Sequence, residues 1–238
     1  MSALHQIATY SRELLRTFGV SPMGRIMDEL SARGFALDHM AALEPFGREG
    51  RWHTMDYADR VASLTVWELD PAMEPGLRRN LPNAARKITD AYAEIRQTDG
   101  TFDLIVVDAP TMPHGDFCEH FDFVPLVFRV ARDPFVLIVN VVTRPNKKIT
   151  QMIPGFFGEH HLAARRSFYE CRDPEHLDVD ELAKAYRRCV EAQGWELEWW
   201  FMRGRDRVCD YFVMKLRRGV RDDLAAPSLP AKHAAGLA

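Results

Sequence analysis

The chain has 238 residues, of which 47% are hydrophobic and 27% are charged, and its formal net charge is -3. This composition is typical of a globular protein, and the length suits one domain with elaborations. The balanced charge does not indicate a nucleic-acid surface. No apolar run is long enough to span a membrane, the chain start lacks a signal-sequence pattern, and the cysteines form no Cys-x-x-Cys pair. We therefore expect a cytoplasmic protein in a reducing setting.

Two helices are predicted before the first strand. Apolar residues recur at helical spacing over 4–18, and Ser21 followed by Pro22 is typical of an N-cap and a first helical residue. The second helix is expected to end at Gly34. We assign residues 1–36 to an N-terminal helical cap, which could cover a cofactor crevice, line a substrate pocket, pack on the sheet or form a homodimer contact.

Three short apolar runs then end in an acidic residue, namely Glu44, Glu68 and Asp108. Apolar runs without polar alternation are typical of strands covered by helices on both faces, which indicates a parallel sheet. In such a sheet the ligand crevice lies outside the carboxyl ends of the strands. We therefore expect the three acids to surround a binding site.

The remaining elements follow from periodicity and from turn residues. Asp70 before Pro71 is typical of a helix cap rather than a ligand. Strands are predicted over about 40–45, 64–69, 86–89, 102–107, 135–139, 195–202 and 208–216, and the last two form a hairpin. Helices are predicted over about 52–62 and 179–190.

Two segments lack a clear pattern. Residues 143–177 have poor periodicity and several prolines and glycines, so we interpret them as an inserted lid. Glu159, His160 and His161 lie in this lid and are expected to form a solvated charged patch. Residues 219–238 are rich in small residues and are predicted to be a disordered tail.

Over about residues 40–216 the order of these features resembles the class I S-adenosylmethionine-dependent methyltransferases. The resemblance implies an α/β, Rossmann-like fold with a mainly parallel sheet and an antiparallel C-terminal hairpin. It also implies S-adenosylmethionine as cofactor. By position, the implied contacts are Glu44, Phe46, Gly47 and Gly50 near the methionine part, Glu68 at the ribose hydroxyls, Leu69 on adenine, and Asp90 with Ala91 at the adenine amino group.

Elementary chemistry supports these assignments. One carboxylate can accept both donors of a ribose diol, and the adenine amino group needs an acceptor. Glycines let backbone amides approach a ligand closely. The turn after the first strand departs from the family pattern, because Phe46 and Arg48 stand where its first two glycines would be and Gly47 is shifted by one position.

Two residues after the fourth strand are catalytic candidates. Asp108 is expected nearest the transferred methyl group, either with a direct role or as an acceptor that orients a loop. His114 could act as a base, or it could be an ordinary surface histidine. The spacing of His114, Cys118 and His120 matches no zinc pattern, so no metal is expected.

The resemblance implies methyl transfer to oxygen or nitrogen of a small-molecule metabolite. Nucleic acid is not favoured as a substrate, because the segment Asp108-Ala109-Pro110-Thr111 lacks the aromatic residue on which a flipped base would stack. One alternative is an enzyme similar to the polyamine-forming aminopropyltransferases. Another is a non-catalytic, methyltransferase-like subunit that binds a partner.

Overall fold

The computed structural model describes residues 21–51, 53–108, 119–144, 157–205 and 209–219. Seven strands are present in these ranges. They are β1 (Ala41–Glu44), β2 (Ser63–Glu68), β3 (Ala85–Ile88), β4 (Phe102–Val107), β5 (Ala131–Val141), β6 (Trp195–Gly204) and β7 (Asp210–Arg218).

The strands form one sheet in the order β3-β2-β1-β4-β5-β7-β6. β1 to β5 pair in parallel, whereas β7 pairs antiparallel with both β5 and β6. The predicted mainly parallel sheet with an antiparallel C-terminal hairpin is confirmed. Consequently the carboxyl ends of β1 to β5 and the connection from β6 to β7 lie along one edge, which we call the crevice edge.

Helices cover both faces of the sheet. They are α1 (Pro22–Ala32), α2 (Glu74–Asn80), α3 (Ala91–Gln97), α4 (Val124–Val127), α5 (Glu159–Tyr169) and α6 (Val179–Ala192). Residues of α1 and α2 share one buried apolar cluster with Leu104 and Val106, and residues of α3 to α6 share the other with Ile105 and Val107. Alternate residues of β4 thus face opposite layers, as expected for a strand buried on both sides.

Helix α1 packs against one face of the sheet. The Ser21 hydroxyl accepts a hydrogen bond from Gly24 N–H at 2.9 Å, which confirms the predicted N-cap. Four apolar side chains at helical spacing are fully buried against the sheet of the same chain, namely Met23, Ile26, Met27 and Leu30. They are therefore not exposed for a homodimer contact. The rest of the predicted cap, residues 1–20, lies outside the described residues.

The amino ends of the three central strands are joined by side chains. Asp103 Oδ2 of β4 accepts a hydrogen bond from Ala41 N–H of β1 at 2.8 Å. Arg132 of β5 donates to both carboxylate oxygens of Asp103, at 2.9 and 3.0 Å. This link, the Asp103 staple, lies at the edge of the sheet opposite the crevice edge.

One sequence-based expectation for the connections was wrong. The helix predicted over 52–62 is only a short 3₁₀ turn, Thr54–Asp56, followed by turns, because Thr54 and Tyr57 direct their side chains to a buried carboxylate at the end of β1. The segment 143–177, interpreted as an inserted lid because of its poor periodicity, contains α5. No helix among the described residues is long and apolar enough to cross a membrane.

Candidate functional site

The turn after β1 packs tightly against β2. Gly47 N–H donates to the carbonyl oxygen of Trp67 at 2.9 Å. A Cβ atom at Gly47 would lie only 2.0 Å from Val66 Cγ1, and Val66 is fully buried. Glycine is therefore needed here for close packing of two backbone segments.

We expect Gly47→Ala to lower the free energy of unfolding by about 1–3 kcal/mol, because the new methyl group overpacks a rigid site. Urea denaturation would measure this loss, and the double variant Gly47→Ala/Val66→Ala should be more stable than expected from the two single changes. Gly204→Ala is a matched control, since its Cβ would meet Asp210 Oδ1 at an ordinary 3.8 Å. Equal stability of the two glycine variants would contradict the prediction.

The same turn orients the acid at the end of β2. Arg48 adopts a left-handed φ of 46°, and its N–H donates to Glu68 Oε2 at 2.6 Å. Asp70 N–H donates to Glu68 Oε1 at 2.8 Å. Each carboxylate oxygen has two lone pairs, so each can accept a further hydrogen bond from a ligand. Glu68 is partly exposed, held in one orientation by two backbone amides.

Leu69 and Asp90 lie beside Glu68 at the crevice edge. Leu69 is 61% exposed, an unusual environment for a large apolar side chain in this protein. Thr89 N–H donates to the Glu68 carbonyl at 2.7 Å, which places Asp90 next to the end of β2. Asp90 is exposed, and its Oδ1 accepts from Tyr92 N–H at 2.9 Å, so it caps α3. Ala91, the first residue of α3, is buried.

The acid at the end of β1 is sealed from solvent. Glu44 is fully buried, and its carboxylate accepts hydrogen bonds from Tyr57 OH at 2.6 Å and Thr54 Oγ1 at 3.1 Å. His53 Nε2 lies 2.7 Å from Glu44 Oε1. Three side chains of the segment after the turn thus surround this one carboxylate.

Asp108, directly after β4, is buried and linked to the same histidine. His53 Nδ1 lies 2.7 Å from Asp108 Oδ2, close enough for an ion pair although it is not aligned for a hydrogen bond. Three further side chains contact the Asp108 carboxylate. They are Arg205 through Nη2 at 3.1 Å, Tyr211 through its hydroxyl at 3.2 Å, and Asn140 through Nδ2.

We call Glu44, His53 and Asp108 the buried network. Burial alone would lower the pKa of His53, but the carboxylates of Asp108 and Glu44 outweigh burial and raise it to about 10. Burial alone would raise the pKa of Asp108, yet His53 and Arg205 hold it well below its usual range. At neutral pH the imidazolium therefore lies between two carboxylates, and Asp108 is poorly suited to accept a proton.

Phe46 packs into an aromatic group beside α3. Its ring stacks on His120 with centroids 5.1 Å apart and meets the edge of Phe123 at 4.9 Å. Tyr92 also lies near, with ring centroids 6.4 Å from Phe46. The side chain that replaces the family's first glycine thus contributes hydrocarbon surface to this part of the turn. Gly50 keeps a left-handed φ of 65°.

A second buried ionic group joins α5 to Glu119 and to the end of β5. Arg165 of α5 is fully buried and donates to the carboxylate of Glu119, to the Pro174 carbonyl at 2.6 Å and to the Val142 carbonyl at 2.8 Å. His161 Nε2 lies 2.9 Å from Glu119 Oε2. Since His161 is 3% exposed, the solvated patch predicted for the lid was wrong at this residue, whereas Glu159 and His160 are exposed.

The predicted site residues therefore separate into two groups. Glu68, Leu69 and Asp90 lie together on the accessible part of the crevice edge, whereas Glu44 and Asp108 are joined in the buried network. Sequence reasoning missed the partners of that network, which are His53, Tyr57, Asn140, Arg205 and Tyr211. His114 lies outside the described residues.

Comparisons with solved structures agree on the fold. M. jannaschii TYW2 in complex with AdoMet is 12% identical, with a TM-score of 0.51 and coverage of 81% of this chain and 75% of that chain. Magnesium protoporphyrin IX methyltransferase (ChlM) from Synechocystis PCC 6803, with bound SAH, is 13% identical, with a TM-score of 0.50 and coverage of 83% and 82%. A candidate RNA methyltransferase from Pyrococcus horikoshii is 10% identical, with a TM-score of 0.50 and coverage of 84% and 83%.

No protein-family model matches the sequence, and no curated protein matches it. The structural likeness nevertheless shows that the chain has the class I methyltransferase fold, as the order of its strands and acids predicted.

Proposed function

We propose that the protein is an S-adenosylmethionine-dependent methyltransferase. The observation that carries the proposal is Glu68, a partly exposed strand-end carboxylate that two backbone amides hold in place. Two adjacent residues offer the complementary chemistry, since Leu69 presents exposed apolar surface and Asp90 an exposed carboxylate. The names of structures with this fold, which include complexes with AdoMet and with SAH, support the same cofactor.

The three residues fit the adenosine part of the cofactor. Glu68 would accept both ribose hydroxyls, Leu69 would pack on the adenine ring, and Asp90 would accept from the adenine amino group through the oxygen that does not cap α3. S-adenosylmethionine supplies an electrophilic methyl group on a sulfonium. The contribution of the chain is then mainly to hold cofactor and acceptor in line.

Asp108 would act in this reaction as a positioning residue. Its buried carboxylate binds Arg205, Tyr211 and Asn140 and lies beside His53, so it joins the end of β4 to β5, to β7 and to the segment around His53. An acceptor that is nucleophilic in its neutral form, such as an unprotonated amine, needs no base from this carboxylate before transfer and can release its proton to solvent afterwards. His114 stays a candidate base by prediction only.

Calorimetric titration with S-adenosylmethionine and with its demethylated product tests the cofactor assignment. We expect micromolar binding to the wild type and a loss of at least about tenfold, or roughly 1.4 kcal/mol, in Glu68→Ala, because charge-assisted hydrogen bonds disappear. Glu191→Ala, which changes an exposed acid on α6, is the matched control. Absence of binding to the folded wild type would refute the proposal.

We also propose a small-molecule acceptor, methylated on oxygen or nitrogen. The formal net charge of -3 favours this class over nucleic acid, for which a phosphate-binding track would be expected. The neighbours' names cover both classes, since one is a magnesium protoporphyrin IX methyltransferase and another a candidate RNA methyltransferase. Transfer of labelled methyl groups to a small-metabolite extract would support the proposal, and transfer to RNA alone would refute it.

A further inference from the structure

The accessible and buried parts of the crevice edge differ in what they can offer to a cofactor. Recognition of an amino-acid end requires an acceptor for the ammonium and donors for the carboxylate. Recognition of adenosine requires an acceptor for the diol, an apolar surface and an acceptor for the adenine amino group. The described residues supply the second set in accessible form, whereas the groups of the first set are paired with one another.

Glu44 is the acid that the family resemblance places near the methionine part. Its side chain is fully buried, and Oε1 and Oε2 are both within hydrogen-bond distance of protein donors, from Thr54 and Tyr57 in addition to His53. A ligand ammonium could reach this carboxylate only by displacing one of those buried groups. Such an exchange leaves a buried polar group without its partner, which is costly.

The cationic side chains near Glu44, those of His53 and Arg205, also already have carboxylate partners. His53 lies between two carboxylates at 2.7 Å from each, and Arg205 donates to Asp108. A ligand carboxylate at this point would therefore compete with carboxylates that are already buried beside the same cations. Phe46 adds an aromatic ring where the family turn has glycine, which leaves a ligand less room to approach the backbone amides of this turn.

We infer that this chain recognises the adenosine half of its cofactor and gains little affinity from the amino-acid end. The inference rests on the proposed function and names the ligand class more closely, as 5′-deoxyadenosines that carry a thioether or sulfonium at the 5′ position. Ligands with the full homocysteine end, with a decarboxylated end or with a methylthio group alone bind with similar affinity. Glu68, Leu69 and Asp90 carry the binding that they share.

The inference can be tested on the folded wild type by titration with three ligands. These are S-adenosylhomocysteine, decarboxylated S-adenosylmethionine and 5′-methylthioadenosine. We expect dissociation constants within about tenfold of one another, where a conventional amino-acid subsite would separate them further. In Glu68→Gln all three should weaken by a similar factor, which shows that the same adenosine contacts hold each ligand.

Each possible result decides the matter. Similar constants with parallel weakening in Glu68→Gln support the inference. Binding of S-adenosylhomocysteine more than about tenfold tighter than 5′-methylthioadenosine, or weakening in Glu68→Gln that differs among the ligands, overturns it while leaving the proposed function intact. Failure of all three ligands to bind folded wild type overturns the proposed function, and the inference with it.

Discussion

Replacing Arg165 by alanine is expected to lower the free energy of unfolding by about 3–5 kcal/mol, the cost typical of breaking a buried ion pair from one side. The guanidinium is fully buried and bonded to Glu119 and to the carbonyl groups of Val142 and Pro174. Without it, the buried Glu119 carboxylate keeps His161 as its one side-chain hydrogen-bond partner among the described residues, and two carbonyl groups lose a donor. Urea denaturation at neutral pH measures the loss.

Two further variants show whether the charge pair is responsible. Arg166→Ala removes the exposed neighbour on α5 and should change stability by no more than about 0.5 kcal/mol. Combining Arg165→Met with Glu119→Gln removes both charges, and the double variant should be more stable than the sum of its single changes predicts. A loss below about 1 kcal/mol in Arg165→Ala would contradict the expectation.

The stability of the protein is expected to fall by about 1 kcal/mol per pH unit between pH 7 and pH 9 through His53 alone. Its pKa is raised to about 10 in the folded protein, against 6.5 for a free imidazole. A group whose pKa is raised on folding stabilises the folded state fully when the pH is below its pKa in the unfolded chain. This stabilisation is lost as the pH rises through its pKa in the folded protein. Asp108, whose pKa is lowered, contributes stability above about pH 4 and loses it in acid. The buried network is therefore most stabilising between about pH 4 and 6.5.

His53→Gln tests this assignment, because the variant lacks the titrating group. Its free energy of unfolding should depend less steeply on pH than that of the wild type between pH 7 and pH 9, whatever its absolute stability. His39→Gln replaces an exposed histidine and should keep the wild-type slope. If His53→Gln proves too unstable, the imidazole NMR signals of the wild type still test the raised pKa, since His53 should stay protonated between pH 7 and pH 9. Deprotonation near pH 7 would refute the prediction.

Local sequence patterns predicted the sheet well because its strands are buried on both faces. The run over 102–107 coincides with β4, and the apolar runs before Glu44 and Glu68 gave β1 and β2 to within about a residue. β5 begins four residues earlier than predicted, at Ala131. The second residue of this strand is Arg132, which is polar because its guanidinium binds Asp103 in the staple.

The connections could not be predicted in the same way, because their buried groups are polar. The buried side chains of α5 are His161, Arg165 and Tyr169, and the first two bind the carboxylate of Glu119, a distant part of the chain, instead of forming an apolar stripe. Likewise, the 53–57 segment folds around Glu44, so its shape depends on a contact that sequence periodicity does not contain. The acids at the strand ends were visible in the sequence, but not which of them is buried.

The Asp103 staple has a consequence for how such a protein can diversify. It fixes the alignment of β1, β4 and β5 from the edge remote from the crevice, through Ala41 and Arg132. The crevice residues therefore need not specify how the strands align. Mutations in the connections at the crevice edge can therefore accumulate while the strand register is kept, and a laboratory library confined to those connections can use the same independence.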